Sequence, residues 1–234
     1  MQPFQLSRAE SALAALRQGS FVVVADDEER ENEGDLIIAA ESLTTEKLAF
    51  MLRHTSGVVC VAITTRRSIE LGLPLMVAEN TEPHRTQFTV SVDLASGIST
   101  GISAADRSLT IRALGSRYTS AESFLRPGHV FPLRARPNGV LERRGHTEAA
   151  VDLARLAGFE PAGALCELMA DDGSMLRGAQ LVDFARAHDL PFLHIGDLVA
   201  YRRATDCRAV ERRATLGVAQ DALAQHYLLP EVQA

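Results

Sequence analysis

Apolar positions along this chain follow two rhythms, short unbroken runs of strand length and longer stretches with helical spacing. Ser7 to Gly19 puts Ala9, Leu13 and Leu16 on one helical face, with Ser7 as N-cap and Gly19 as stop. Phe21–Ala25 and Leu36–Ala40 are short and β-branched, and they flank the polar loop DDEERENEGD. Thr45–Thr55 reads as a helix, and the nearly all-apolar GVVCVAIT (Gly57–Thr64) as a buried strand. Phe88–Val92 alternates like a strand, and Ser103 caps a helix that ends near Gly115, with Asp106 favouring its positive terminus. The turn-rich RPGH follows, then a strand at Val130–Arg134 and a helix capped by Thr147 that runs through Ala157 and closes at Gly158. Ala164–Met169 and Phe192–Ile195 are strands, and Leu181–His188 and Gly196–Arg203 helices.

This interleaving predicts an α/β (α+β) domain, single and compact, with a mixed sheet and flanking helices. The 234 residues, 46% of them hydrophobic, suffice for one good core. The domain is placed at residues 1–203. Residues 204–234 turn Arg- and Ala-rich and read as a tail, either a shortened linker or a peripheral helix.

A formal charge of −6 argues against a nucleic-acid surface, which needs clustered cations. Apolar runs are far shorter than the ~20 residues that span a bilayer, and the N-terminus lacks a secretory core. A cytoplasmic protein with no membrane partner is expected. Cys60, Cys166 and Cys207 show no C-x-x-C spacing and read as free thiols.

Charge is concentrated in the loop. Seven of the ten residues from 26 to 35 are carboxylates (Asp26, Asp27, Glu28, Glu29, Glu31, Glu33 and Asp35), with Arg30 the one cation. A charge run is usually a solvated face. Here both ends enter apolar strands, so the carboxylates stay crowded, and a divalent cation would relieve their repulsion; oxygen-rich sites suit Mg²⁺ or Mn²⁺. A calcium loop is excluded. Starting at Asp27 puts Asn32 where that motif needs glycine, and starting at Asp26 puts Arg30 at a ligand position.

Downstream, Arg143, Arg144, Gly145, His146 and Thr147 stand at a helix start, where amide groups, the helix dipole and guanidinium groups favour a phosphate and His146 can hold a metal. Ordinary capping with surface arginines explains the segment equally well. Glu167 inside apolar CELM is either a desolvated acid or base, or an edge residue facing water. His129, after Pro127 and Gly128, is by itself more simply a turn histidine. Cys60 reads as a small buried hydrophobe.

Taken in order, DDEERENEGDLIIAAE, SGVVCVAIT, LPLM, STGISAADR, RPGHVFPLRAR, GHTEAAVDLARLAG and CELM with DDGSM resemble the 3,4-dihydroxy-2-butanone-4-phosphate synthase family, collinearly from about Gly19 to Arg203. The resemblance implies that fold and a riboflavin-biosynthesis lyase. Its reaction converts D-ribulose 5-phosphate to 3,4-dihydroxy-2-butanone 4-phosphate and formate with Mg²⁺ or Mn²⁺, two ions per site and no organic cofactor. It also implies a homodimer with the site near the interface. Glu31 and His146 match the metal ligands. Arg30, Glu31, Asp35, Arg143, Arg144, Gly145, His146, Thr147 and Glu167 match substrate-binding positions. Asp35, His129, Glu167, Glu33 and Asp26 match catalytic ones.

Arg85, Gln87 and His194 depart from the family pattern. Many members continue into a GTP cyclohydrolase II-like domain, and that second activity is not expected here. The competing readings are another metal-dependent sugar-phosphate enzyme, and a module that binds ligand without turnover.

Overall fold

The strands β1 (Val22–Ala25) and β2 (Gly34–Ala39) are apolar on both faces, and both faces are covered. In the computed structural model, which describes residues 3–207, they sit inside a seven-stranded mixed sheet. The remaining strands are β3 (Cys60–Thr64), β4 (Val92–Leu94), β5 (Phe124–Ala135), β6 (Ala162–Glu167) and β7 (Phe192–His194). Their order is β4-β5-β3-β6-β2-β1-β7, with β1–β7 and β3–β5 parallel and the other pairs antiparallel.

Helices α1 (Pro3–Arg17), α2 (Thr45–His54), α3 (Thr65–Glu70), α4 (Ala104–Gly115), α5 (His146–Ala157) and α6 (Ala179–Ala187) are joined by α7 over 195–207. Alternation along the strands feeds two cores. Val23, Leu36, Ile38, Val61 and Cys166 pack with residues of α2, α4 and α6, whereas Val22, Val24, Ile37, Ala62 and Leu165 pack with residues of α1, α5 and α7. The sheet is thus the middle of three layers, and every strand near its centre must be apolar throughout.

Several boundaries differ from those the sequence suggests. Of the expected strand 88–92 only Val92 lies in a strand, β4, while Phe88 and Thr89 make isolated bridges to Leu133 and Leu75. RPGH is not a turn between elements but part of the twelve-residue β5. It bulges there, because Val92 pairs with Val130 while the adjacent Asp93 pairs with Leu125. The N-cap of α5 is Gly145 rather than Thr147, and no side chain caps it. The six-residue α3 is unforeseen; Thr64 caps it through the amide of Arg67.

Helix α7 runs through 203 and 204 without a break, and Arg202 inside it donates to Asp152 on α5. The rest of the expected tail lies outside the described residues. Among those residues no helix is long and apolar enough to cross a membrane, and Cys60, Cys166 and Cys207 are all free.

Candidate active site

The acidic loop is the tip of a β-hairpin. Ala25 pairs with Gly34, and the Asp26 amide donates to the Glu33 carbonyl at 3.2 Å. Asp26 organises the tip from within. Its buried carboxylate accepts from the amides of Glu31 (3.1 Å) and Glu33 (3.0 Å) and from the Arg30 guanidinium (2.7 Å). Gly34 is required by packing, since a Cβ there would overlap Leu181 of α6. Asp35 therefore belongs to β2 and not to the loop, and it is buried beside Glu167, its cross-strand partner on β6.

The N-terminus of α5 supplies the facing wall. His146 is buried, and its Nε2 lies 3.1 Å from the Val24 carbonyl. A carbonyl only accepts, so Nε2 carries the proton and Nδ1 faces Glu31 Oε2 and Asp35 Oδ1, each 3.7 Å away. Asp26, Glu31 and His146 bring one ligand atom each within 4.8 Å of one another. Asp35 Oδ1 is buried without a hydrogen-bond partner. A histidine lone pair, a cluster of carboxylates and an orphaned carboxylate oxygen suit a divalent cation. The carbonyl behind His146 is the outer partner that orients such a ligand.

These charges perturb one another. Burial, opposed by His146, pushes the Asp35 carboxyl up to about 7. Burial would lower His146, but Asp35, Glu31 and Asp26 outweigh it and hold the imidazolium up to about 9. The contact with His146 is the main cause of a Glu31 carboxyl lowered to about 2, helped by Arg30.

A cavity of about 210 Å³ opens over this group, and Arg30, Glu31, Glu33, Asp35, Arg143, His146, Thr147 and Glu167 all line it. Eight residues singled out in the sequence thus meet at one pocket. Glu82, Thr86 and His84 in the 80–86 loop carry no sequence signal beyond polarity. Glu82 and Thr86 line the cavity, and His84 Nε2 lies 3.8 Å from Glu31 Oε1. Ser56 was not singled out either; its hydroxyl donates to Glu167 Oε2 at 2.7 Å.

Arg143 is less free than expected. It donates to buried Glu148 (2.6 Å), to the His84 carbonyl (3.1 Å) and to Thr86 Oγ1 (2.9 Å), so it ties α5 to the 80–86 loop. Arg144 turns away toward Asp27, 3.7 Å distant and half exposed. Gly145 leaves room for Arg143, whose guanidinium a Cβ would overlap. Arg85 is exposed and contacts the Asn80 carbonyl, Gln87 accepts the Arg134 amide through its carbonyl, and His194 stacks edge-on against Phe192.

His129 stands apart. It lies on β5 four residues from the cavity-lining Leu133, a span of roughly 13 Å along an extended strand. A larger cavity, about 390 Å³, opens at the opposite end of the sheet. Its Arg66, Arg117 and Arg155 are paired with Glu70, Glu160 and Asp152, whereas the smaller cavity is lined by Asp35, whose buried Oδ1 has no hydrogen-bond partner.

Residues 10–201 match the model of the family described as 3,4-dihydroxy-2-butanone 4-phosphate synthase. A protein of that name from Edwardsiella ictaluri is 55% identical over 201 residues, 86% of this chain and 92% of the relative. Another, from Aeromonas salmonicida, is 56% identical over 198 residues, 85% of this chain and 91% of the relative. A crystal structure of 3,4-dihydroxy-2-butanone 4-phosphate synthase in complex with two magnesium ions superposes with a TM-score of 0.82 at 46% identity, covering 84% of this chain and 97% of that one.

Proposed function

This chain belongs to the 3,4-dihydroxy-2-butanone 4-phosphate synthase family, and from that premise we propose that its acidic pocket converts D-ribulose 5-phosphate to 3,4-dihydroxy-2-butanone 4-phosphate and formate. The reaction is a step of riboflavin biosynthesis. Its course is enolisation, loss of water at C1, skeletal rearrangement, return of water and departure of C4 as formate, so pentulose phosphate equals product plus formate. The observation that carries this reading is the Asp26, Glu31 and His146 cluster beside the unpaired Asp35 Oδ1.

Glu31 and His146 would hold magnesium or manganese. When bound, the cation supplies Lewis acidity, which polarises a carbonyl and makes the adjacent C–H more acidic. A relative's crystal structure is in complex with two magnesium ions. Two ions in one site here would draw ligands from substrate and water as well, because the described residues gather one group of three ligands. Asp26 acts on the loop, its oxygens taken by Arg30 and two amides.

Asp35, poised at about 7, and Glu167, oriented by Ser56, face each other across the strands for proton transfer. Glu33, fixed by Arg177 at 2.8 Å, flanks them. Arg30 and Thr147 contact substrate, with Arg143 shaping the wall. Purified protein supplied with ribulose 5-phosphate and magnesium is expected to release one formate per product, and chelation to stop it. Absence of formate from folded, metal-loaded protein would refute the assignment.

His129 enters through a second copy. Exposed Ile102 and Leu125 are close to it in the fold. Leu125 pairs with Asp93, His129's hydrogen-bond partner, and Ile102 follows Gly101, which packs on both. Covering that apolar surface with a second chain makes a homodimer and brings one chain's His129 toward the other's acidic pocket. Glu31→Gln and His129→Asn chains, each inactive alone, are then expected to regain roughly a quarter of normal activity when unfolded and refolded together, since half the dimers are mixed and each holds one intact site. No recovery from a dimeric mixture would place His129 in its own chain's site.

A further inference from the structure

Asp93 makes a two-point contact with one residue. Its Oδ1 accepts the His129 amide at 2.9 Å, and its Oδ2 lies 2.6 Å from His129 Nδ1. A carboxylate only accepts, so Nδ1 donates, and in its neutral form a ring so held keeps its lone pair on Nε2. That nitrogen has no partner among the described residues, and the imidazole is 43% exposed while Asp93 is buried.

The surrounding chain is shaped around this pair. The β5 bulge folds Arg126 to His129 over Asp93, and Gly128 sits where a Cβ would overlap the Val92 backbone. On the other side Gly101, with φ of 90°, packs where a Cβ would overlap both Asp93 Oδ2 and His129 Nδ1. Gly101 is itself fixed, because Asp106 accepts from its amide (3.1 Å) and from the Ser99 amide and hydroxyl (3.1 and 2.7 Å). Two glycines and a buried aspartate thus hold one imidazole in one orientation, with its basic nitrogen outward.

From this geometry we infer that Asp93 is a positioning residue for the reaction, locking His129 in the Nδ1–H tautomer so that Nε2 meets substrate as an acceptor. The inference rests on the reading of His129 as a residue that touches substrate. An Asp93→Asn side chain has one acceptor oxygen for two donors. With that oxygen on the His129 amide, its NH₂ faces Nδ1 and drives the ring proton to Nε2. The same exchange at the aspartate of the serine-protease triad costs about 10⁴-fold in kcat through the wrong tautomer.

The test is ¹⁵N-imidazole NMR of the full-length protein, with the His129 signals assigned by their loss in His129→Asn, alongside steady-state kinetics. The expected result is an Nδ1–H ring in the wild type, an Nε2–H ring in Asp93→Asn, and kcat lower by on the order of 10³-fold or more with KM within a few-fold. A wild-type ring in the Nε2–H form overturns the inference, and so does Asp93→Asn turnover within threefold of normal. Should the amide variant not fold, the wild-type spectrum still decides the tautomer and Asp93→Ser supplies the kinetics. The two readings fail differently. An active His129→Asn removes His129 from the chemistry and the inference with it, whereas an inactive His129→Asn beside an active Asp93→Asn removes the role of Asp93 alone.

Discussion

Glu31→Gln is expected to lower turnover by roughly 10³-fold while shifting the melting temperature by only a few degrees. Lewis-acid stabilisation of developing charge contributes several kcal/mol, and each 1.36 kcal/mol is about tenfold in rate. Glu31 offers the more accessible carboxylate of the Asp26, Glu31 and His146 group, with its side chain 32% exposed against none for Asp26. Its partners, Arg30 at 2.7 Å and His146 at 3.7 Å, keep other anions in Asp26 and Asp35. Glu31 is one-third exposed and Arg30 keeps Asp26 as a partner, so loss of the pair costs on the order of 1 kcal/mol after solvent screening, or roughly 2–4 °C for a chain of this size.

His146→Ala, by contrast, should lose both activity and stability. It strips buried Asp35 of its nearest cation, and an uncompensated buried charge costs about 3–5 kcal/mol. Kinetics with saturating magnesium, paired with calorimetric melting, distinguish the two. A Glu31→Gln enzyme within tenfold of normal kcat would remove Glu31 from the metal site.

Magnesium is expected to bind progressively more weakly as pH falls from 9 to 6, with protons released on binding. The sign follows from His146. In the metal-free protein it keeps its proton up to about pH 9, because Asp35, Glu31 and Asp26 outweigh its burial. The cation needs the Nδ1 lone pair, so proton and metal compete, and apparent affinity drops by about tenfold per pH unit below 9. Near pH 7 the decline steepens, as buried Asp35 begins to hold a second proton.

Titration calorimetry at pH 8 in two buffers of different ionisation enthalpy should show close to one proton released per ion. A pH-independent affinity without proton release would show that His146 does not ligate the metal. Glu31, held at about 2, contributes nothing to this slope.

Much of the site was legible because its residues lie at element ends that have sequence signatures. The acidic run sits between two apolar strands and Gly145–His146 opens an amphipathic helix, so Glu31 and His146 could be paired through resemblance before any geometry was known. Loop residues carried no such mark. His84, Glu82 and Thr86 reach the pocket because Arg143 draws their loop onto α5, a contact between positions some sixty apart. Ser56 orients Glu167 only because Thr55 bridges to Leu168, which sets the two side by side. The displaced β4 and the strand through RPGH share one cause. Where β5 bulges against β4, pairing overrides the local turn preference of Pro127 and Gly128.

By itself the sequence determined the layered α/β domain, most of its elements, the excess of carboxylate in one hairpin and the family, since periodicity, capping and collinear motifs are local properties of the chain. Tertiary structure alone decided what each carboxylate contacts. Asp26 accepts from two amides and Arg30, Asp35 is buried with an unpaired oxygen, Glu33 is tied to Arg177, and Glu31 faces His146. It also set His129 apart with Asp93 rather than beside the cluster. Charge and residue type are written along the chain, but burial, hydrogen-bond partners and distances between charges arise only when separate elements pack.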